Sequence, residues 1–258
     1  MNRVAVPLDA HVEAYERGSP YYEENRMTAI AYGERIGNHI RELRLRSVLS
    51  LGIGHAEVAR ILLRHLTAGT LERFLIVDGA PRLIDGFRES LAPLPRGLEL
   101  LEGYFESFDC PHRFDVIEAG FILEHVDDPG LILRRMHRFL VPSGRLFIAV
   151  PNARSLHRQL GHHAGLLDDM YALSEADRAL GHKRYFDASS LAELVTRSGY
   201  QVEKIGGLLL KPFTTSQMRA LDLAPAIWQA LLTVAADLPE IANAICLEAT
   251  AGGAGGVA

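Results

Sequence analysis

Short apolar segments alternate with amphipathic segments along the middle of the chain, and this alternation restricts the fold more than any other feature. Nearly continuous apolar runs are typical of strands buried on both faces, which occur in parallel sheets covered by helices. Apolar residues at helical spacing lie between these runs. The predicted strands are 47–52, 73–78, 98–103, 114–120 and 145–150, and the predicted helices are 56–66, 81–91 and 129–140. We therefore predict a doubly wound α/β fold.

The segments that follow complete the predicted sheet. Residues 187–199 have the pattern of a helix, with Asp187 as its N-cap. Residues 200–210 form a sixth predicted strand, in which a glycine pair marks a bulge or a bend. Residues 241–250 are predicted to close the sheet as an edge strand.

Composition divides the chain into segments of different character. Residues 1–46 form a predicted N-terminal helical lid segment, and 47–250 form the α/β domain. Within that domain, 151–186 is rich in His, Gly and Arg, which predicts an insertion after the fifth strand that builds a substrate pocket. The glycine-rich residues 251–258 are predicted to be a disordered tail, because they bury too little side chain to offset the ordering entropy.

Charge and cysteine usage exclude several classes of protein. A formal net charge of −5 gives no reason to expect nucleic acid as a partner, because phosphate backbones are bound by clustered Lys and Arg. Cys110 and Cys246 have no spacing typical of a metal or redox site, and no signal peptide is recognised at the start, so we expect reduced thiols in a cytoplasmic protein. The apolar runs are too short to cross a bilayer, so no membrane partner is expected.

A glycine turn follows the first predicted strand. Gly52 and Gly54 carry no Cβ, so backbone amides can approach a ligand at the start of the next helix. Asp78 ends the second predicted strand, where a carboxylate can accept hydrogen bonds from two ribose hydroxyls. This arrangement suits a dinucleotide as well as an adenosyl cofactor, so the turn alone leaves both open.

Four segments over residues 47–152 separate these alternatives: SVLSLGIGHA, IVDGAP, FDVIEAGFILEHVDDP and LVPSGRLFIAVPN. In order and register they resemble the class I S-adenosylmethionine-dependent methyltransferases, in particular the ubiquinone-biosynthesis-like O-methyltransferases. LEHVDDP and PSGRLFIAVPN are the specific segments, since dinucleotide dehydrogenases do not usually carry them. The resemblance implies a Rossmann-like, mostly parallel seven-stranded sheet, with S-adenosyl-L-methionine as cofactor and S-adenosyl-L-homocysteine as product.

The resemblance also implies roles for residues at the ends of the strands. Gly52 and Gly54 would pack under the methionine part of the cofactor, and Asp78 would hold the ribose. The positions expected beside the adenine are Gly79, Ala80, Tyr104 and Phe105. The positions expected to line the site near the sulfonium are Glu118, Ala119 and Gly120.

Two positions depart from the family's pattern. The family usually has an acidic residue at Ser50 and a third glycine at Ala56. Ser50, which is expected among the cofactor-binding residues, leaves one carboxylate fewer to orient the amino group of the cofactor, so binding is expected to be weaker or to use another group. Ala56 is expected to be a mild change, because a methyl group fits where a helix begins. His55 is predicted to be exposed in the turn and to contact the carboxylate of the cofactor.

Methyl transfer requires alignment of the acceptor and exclusion of water, and a base only where the acceptor loses a proton. His125 is the predicted catalytic base, with capping of its loop as the alternative, and Glu124 is expected to start a helix. Lys211 is predicted to line the far wall of the pocket. The predicted substrate contacts are Tyr22, His157, His182 and Tyr185. No metal is expected, because the histidine spacing fits no usual ligand pattern.

The sequence therefore predicts an enzyme that methylates O, N or C of a small molecule. A homodimer and a role in specialised metabolism are further expectations. The alternative is a methyltransferase-like protein that has lost catalysis and acts as a binding or partner protein, which Ser50 favours. A nicotinamide-dependent oxidoreductase is a further alternative. It is disfavoured because Lys183 and Tyr185 are in the wrong order and too close for a short-chain catalytic pair.

Overall fold

A computed structural model describes residues 21–252 of the chain. Its strands are β1 (Ser47–Leu51), β2 (Arg73–Asp78), β3 (Leu98–Glu102), β4 (Phe114–Gly120), β5 (Leu140–Pro151), β6 (Tyr200–Leu208) and β7 (Ala244–Ala251). They form one sheet in the order β3-β2-β1-β4-β5-β7-β6. Only β7 runs antiparallel to its neighbours. The predicted seven-stranded, mostly parallel sheet is confirmed.

Helices connect the strands and cover the sheet. They are α1 (Tyr22–Leu43), α2 (Glu57–Thr67), α3 (Pro81–Ser90), α4 (Pro129–His137), α5 (Leu156–His163), α6 (Glu175–Ala179), α7 (Ala188–Arg197), α8 (Thr215–Ala220) and α9 (Pro225–Ala235). Within the described residues, no helix is both long and apolar enough to cross a membrane.

The central strands are buried on both faces, which explains their continuous apolar sequences. Val48 and Val116 belong to a core that includes side chains of α1, α2 and α3. Their chain neighbours Leu49 and Ile117 belong to a second core that includes side chains of α4 and α7. Successive side chains of a strand point to opposite faces, so each run supplies both cores.

Helix α1 is packed into the first of these cores along much of its length. A Cβ at Gly33 would lie 2.7 Å from Cδ1 of Ile61, and one at Gly37 would lie 2.6 Å from Nε2 of His65. These two glycines therefore let α1 approach α2 closely. Residues 1–20 of the predicted lid lie outside the described residues, and the lid role stays a prediction.

The C-terminal strands correct two details of the sequence analysis. β7 is an interior strand between β5 and β6, and β6 is the edge, so the prediction of an edge strand at 241–250 is wrong. The register of β6 shifts between Val202 and Lys204, not at the glycine pair. A Cβ at Gly207 would lie 2.2 Å from the carbonyl oxygen of Ala235, so this glycine permits a close backbone approach.

The start of one helix was predicted correctly, and the start of another was not. Asp187 caps α7 through a capping box with Ser190, as predicted. Helix α4 begins at Pro129, and the Asp128 side chain accepts a hydrogen bond from the Leu131 amide. The expectation that Glu124 starts a helix is therefore wrong.

Both ends of the predicted insertion lie close to β5, and the predicted tail begins within β7. Asn152 and Phe186 pair in an isolated bridge, so the two ends of the 151–186 segment meet beside β5. Ala251, the first residue of the predicted tail, belongs to β7. Residues 253–258 of that tail lie outside the described residues.

Candidate active site

The glycine turn, residues 52–56, joins β1 to α2 in a conformation that demands small residues. Gly52 has φ +86° and Gly54 has φ +50°, both in the left-handed region. A Cβ at Gly52 would lie 2.9 Å from Cδ1 of Ile122. Ala56 also has a positive φ, 59°, so a third glycine is favoured here for its backbone freedom and not only for space.

Asp78 faces this turn from the end of β2. Its Oδ2 accepts a hydrogen bond from the Ile53 amide at 2.8 Å, and its Oδ1 accepts one from the Ala80 amide at 2.8 Å. A Cβ at Gly52 would lie 3.7 Å from Oδ2, so the carboxylate points to the turn. Each carboxylate oxygen has two lone pairs, which leaves acceptor capacity for ligand hydroxyls.

His55 is less accessible than the sequence suggested. Its side chain is partly buried, and burial lowers its pKa to about 4. The Tyr22 ring lies edge-on to it, with ring centroids 6.0 Å apart. The prediction of an exposed histidine is wrong, because the first turn of α1 lies over the glycine turn. Tyr22, a predicted substrate contact, lies beside this turn.

The predicted adenine positions lie at the neighbouring strand ends. Ala80 is buried, Gly79 is partly buried, and the Gly103 amide donates to the Asp78 carbonyl at 3.0 Å. Tyr104 is 55% exposed, whereas Phe105 is partly buried against the core. The ends of β2 and β3 therefore meet at one edge, and the adenine role of these residues stays a prediction.

The end of β4 is crowded by α1. Ala119 is fully buried, and a Cβ at Gly120 would lie 2.4 Å from Cε1 of Tyr32. Ser50 and Glu118 are buried beneath the glycine turn and are hydrogen-bonded to each other. Tyr32 was not predicted as a neighbour of this strand end, because it belongs to a helix that is distant in the chain.

His125 and His182 are brought together beyond β4, with ring centroids 4.8 Å apart. The backbone explains their proximity, because the Lys183 amide donates to the Glu124 carbonyl at 2.8 Å. The Arg184 guanidinium donates to carbonyls of the same loop. The segment before α7 is thus fastened onto the loop that follows β4.

Two further side chains connect the predicted substrate contacts. The Tyr185 hydroxyl donates to Oδ1 of Asp177 at 2.9 Å, and the Arg158 guanidinium carbon lies 4.3 Å from the centroid of the Tyr185 ring. Burial alone would raise the pKa of Asp177, but hydrogen bonds from His182, Ser174 and Tyr185 hold it below its ordinary value. His125, Arg158, Asp177, His182 and Tyr185 are together called the polar cluster below.

Asp177 and Arg158 were not predicted from the sequence as site residues. Asp177 is recognisable from the sequence only as the third residue of a capping box with Ser174, which the structure contains. That signal predicts a helix start and not a site. Arg158 carries no local signal, because its contacts with Met170, Ala172 and Tyr185 all depend on the folding of the insertion.

His157 lies beside a buried ion pair. Its amide donates to the Lys211 carbonyl, and burial lowers the pKa of its imidazole to about 3, aided by the charge of Lys211. Nζ of Lys211 lies 2.6 Å from Oε1 of Glu24 and also donates to Thr215. The ammonium of Lys211 is therefore engaged by α1, and both partners are almost fully buried.

One group within residues 21–252 has the spacing of metal ligands. Glu124, His125 and His182 offer ligand atoms within 4.8 Å of one another. Burial raises the pKa of Glu124 to about 7. Spacing along the chain did not indicate this group, because the fold brings His182 to the other two residues.

Comparisons with known proteins agree with this arrangement. A family model described as a methyltransferase domain matches residues 22–205. The ubiquinone biosynthesis O-methyltransferase of Pseudomonas syringae pv. tomato is 28% identical over 116 residues, which are 45% of this chain and 48% of that protein. The chain thus spans about half the length of the curated relatives it matches.

Solved structures show the same fold at low sequence identity. The plantazolicin methyltransferase BpumL in complex with SAH has a TM-score of 0.60 and 15% identity, with 95% of each chain covered. The N-methyltransferase NodS from Bradyrhizobium japonicum WM9 in complex with S-adenosyl-L-homocysteine has a TM-score of 0.56 and 11% identity, with 95% of this chain and 99% of that chain covered. The matched model and the shared fold show that the chain belongs to the class I S-adenosylmethionine-dependent methyltransferase family.

Proposed function

We propose that this protein transfers the methyl group of S-adenosylmethionine to a hydroxyl oxygen of a small molecule and releases S-adenosylhomocysteine. The named activity of the curated relatives, ubiquinone biosynthesis O-methyltransferase, supports transfer to oxygen. The neighbours with bound S-adenosylhomocysteine support the cofactor.

The observation that carries the proposal is the alignment of three strand ends at one edge of the sheet. β2, β1 and β4 are adjacent in the sheet and parallel. Asp78, the glycine turn and the loop with His125 therefore share this edge. Ligands of open α/β sheets bind at the carboxyl ends of the strands. A cofactor held by Asp78 and the turn would thus lie next to His125 and His182.

The chain's own residues then have two tasks. The sulfonium of the cofactor supplies an activated methyl group, so the protein must mainly align the acceptor and exclude water. His125 accepts the proton that the acceptor hydroxyl loses as its oxygen bonds to the methyl carbon. The rest of the polar cluster orients the acceptor, with His182 against the His125 ring.

The test is a transfer assay with S-adenosylmethionine and a panel of phenols, alcohols and amines, read by mass spectrometry. We expect a gain of one methyl group on a hydroxylated acceptor. His125→Asn should reduce kcat by about 100-fold or more, with unchanged affinity for S-adenosylhomocysteine. His163→Asn is the control, because His163 is exposed and outside the cluster.

Two results would contradict the proposal. Binding of the cofactor without transfer to any acceptor would support the non-catalytic alternative. Methyl transfer to amines alone would show that oxygen is not the acceptor. An unchanged kcat in His125→Asn would remove the base role from His125 and leave the cofactor assignment intact.

A further inference from the structure

A buried carboxylate lies directly beneath the glycine turn. Ser50 and Glu118 are register partners in the parallel pair of β1 and β4, and their exposed fractions are 2% and 3%. The Ser50 hydroxyl donates to Oε2 of Glu118, and the Gly120 amide donates to Oε1 at 2.6 Å. The Ser50 hydroxyl also lies 3.3 Å from the carbonyl oxygen of Gly52. Glu118 is therefore linked to the first residue of the turn through the Ser50 hydroxyl.

Glu118 differs from the buried acids Glu24 and Glu248 in having no cationic partner among the described side chains. Glu24 is paired with Lys211, and Glu248 is paired with His39 and Arg145. Glu118 instead accepts hydrogen bonds from the Ser50 hydroxyl and the Gly120 amide. Burial raises its pKa to about 7, against the effect of these hydrogen bonds. A buried carboxylate without a cation is costly, and a cationic ligand group placed beside it would reduce that cost.

The order of the strands indicates which part of the cofactor lies near this acid. Asp78 is on β2, and Glu118 is on β4, with β1 and its glycine turn between them. If the ribose is held at Asp78, the adenosyl part lies on the β2 side of the turn. The amino-acid part then lies on the β4 side. Its positively charged α-ammonium group would supply the cationic partner that Glu118 lacks.

We infer that Glu118 is the acid that binds the α-ammonium group of the cofactor, in place of an acid at position 50. This inference rests on the proposed function. It also accounts for Ser50, whose small side chain leaves room for the Glu118 carboxylate and donates a hydrogen bond to it. The acid would then lie on the register partner of position 50 and bind the same group of the cofactor.

The test compares two ligands by titration calorimetry. S-adenosylhomocysteine has the α-ammonium group but no sulfonium, and 5′-methylthioadenosine lacks the whole amino-acid part. Glu118→Gln should weaken S-adenosylhomocysteine binding about 10- to 100-fold, as expected for loss of a charge-assisted hydrogen bond. Binding of 5′-methylthioadenosine should change less than about twofold, which also shows that the variant is folded. Glu248→Gln is the matched control, since it alters a buried acid away from the turn and should leave both affinities unchanged.

A second variant moves the acid back. Ser50→Asp combined with Glu118→Thr should restore S-adenosylhomocysteine affinity to within about threefold of the unmodified protein. Equal weakening of both ligands by Glu118→Gln, or no weakening of either, would overturn the inference. If the unmodified protein binds neither ligand, the proposed function fails as well, so the two failures are distinguishable.

Discussion

The glycine turn and the polar cluster lie at the same edge of the sheet but are stabilised in different ways. The turn depends on backbone conformation, because every second residue, Gly52, Gly54 and Ala56, has a positive φ. The polar cluster depends on side chains from separate segments, such as Arg158 and Asp177, that meet only in the folded chain. Backbone geometry is a local property of sequence, whereas side-chain networks are not. We therefore expect a substitution in the turn to weaken cofactor binding. A substitution among the buried side chains around the cluster should lower the free energy of unfolding.

The largest expected effect tests how burial affects a side-chain contact, at the Glu24–Lys211 ion pair outside the polar cluster. Lys211→Met should lower the free energy of unfolding by about 3–5 kcal/mol, because Glu24 stays buried without its cation. Lys183→Met is the matched control, since the Lys183–Asp127 ion pair has the same 2.6 Å separation at the surface. It should cost less than about 1 kcal/mol. Urea denaturation measures both, and equal losses would show that burial does not determine the contribution of these pairs.

The next effect tests the turn side through Asp78. Asp78→Ala should weaken S-adenosylhomocysteine binding about 100-fold, because hydrogen bonds to a charged acceptor are lost. Asp115→Ala is the control, since Asp115 accepts hydrogen bonds from the Arg46 and Ser47 amides at the opposite end of the sheet. It should leave the affinity unchanged. Comparable weakening in both variants would indicate a general loss of sheet structure. It would contradict a specific role of Asp78 at the turn.

Gly52→Ala separates close approach from backbone strain. We expect at least about tenfold weaker S-adenosylhomocysteine binding, because a Cβ here would both require a left-handed conformation and contact Ile122. Gly69→Ala carries similar strain, with φ +73°, but its Cβ would meet nothing within 4 Å. Calorimetry should show unchanged affinity for Gly69→Ala. An unchanged affinity for Gly52→Ala would mean that the turn does not approach the cofactor.

The smallest expected effect concerns Ala56. Ala56→Gly should raise the free energy of unfolding by about 0.5–1 kcal/mol, because glycine adopts φ 59° without the Cβ penalty. Ala68→Gly, at the other end of α2 with φ −78°, should lower it by a similar amount. Thermal denaturation compares the two. Destabilisation by both variants would show that the turn is not strained at Ala56.

The same contrast explains what the sequence could predict. The strands, the glycine turn and Asp78 follow from local pattern, because a parallel sheet fixes where its strand ends meet. The position of β7 did not follow, since its insertion between β5 and β6 is a long-range pairing. Its six consecutive buried residues are nevertheless typical of an interior strand.

Burial by distant elements accounts for the remaining differences. His55 is partly covered because the start of α1 packs over the turn. Tyr32 of the same helix lies against Gly120. Such contacts cannot be predicted from local sequence, because they form only when distant segments pack together. The pairing of His125 with His182 likewise required the folded insertion, although both residues were named from the sequence as site candidates.

A crystal structure with bound S-adenosylhomocysteine tests the central claim most directly. We expect ribose hydroxyls within hydrogen-bond distance of Asp78, with the amino-acid part next to Glu118 and the sulfur toward His125. Another cleft of the protein lies between α1 and the C-terminal strands and is lined by residues that include Arg35, His39, Phe147 and Glu248. A cofactor bound in that cleft, or Asp78 without contact to the sugar, would contradict the account.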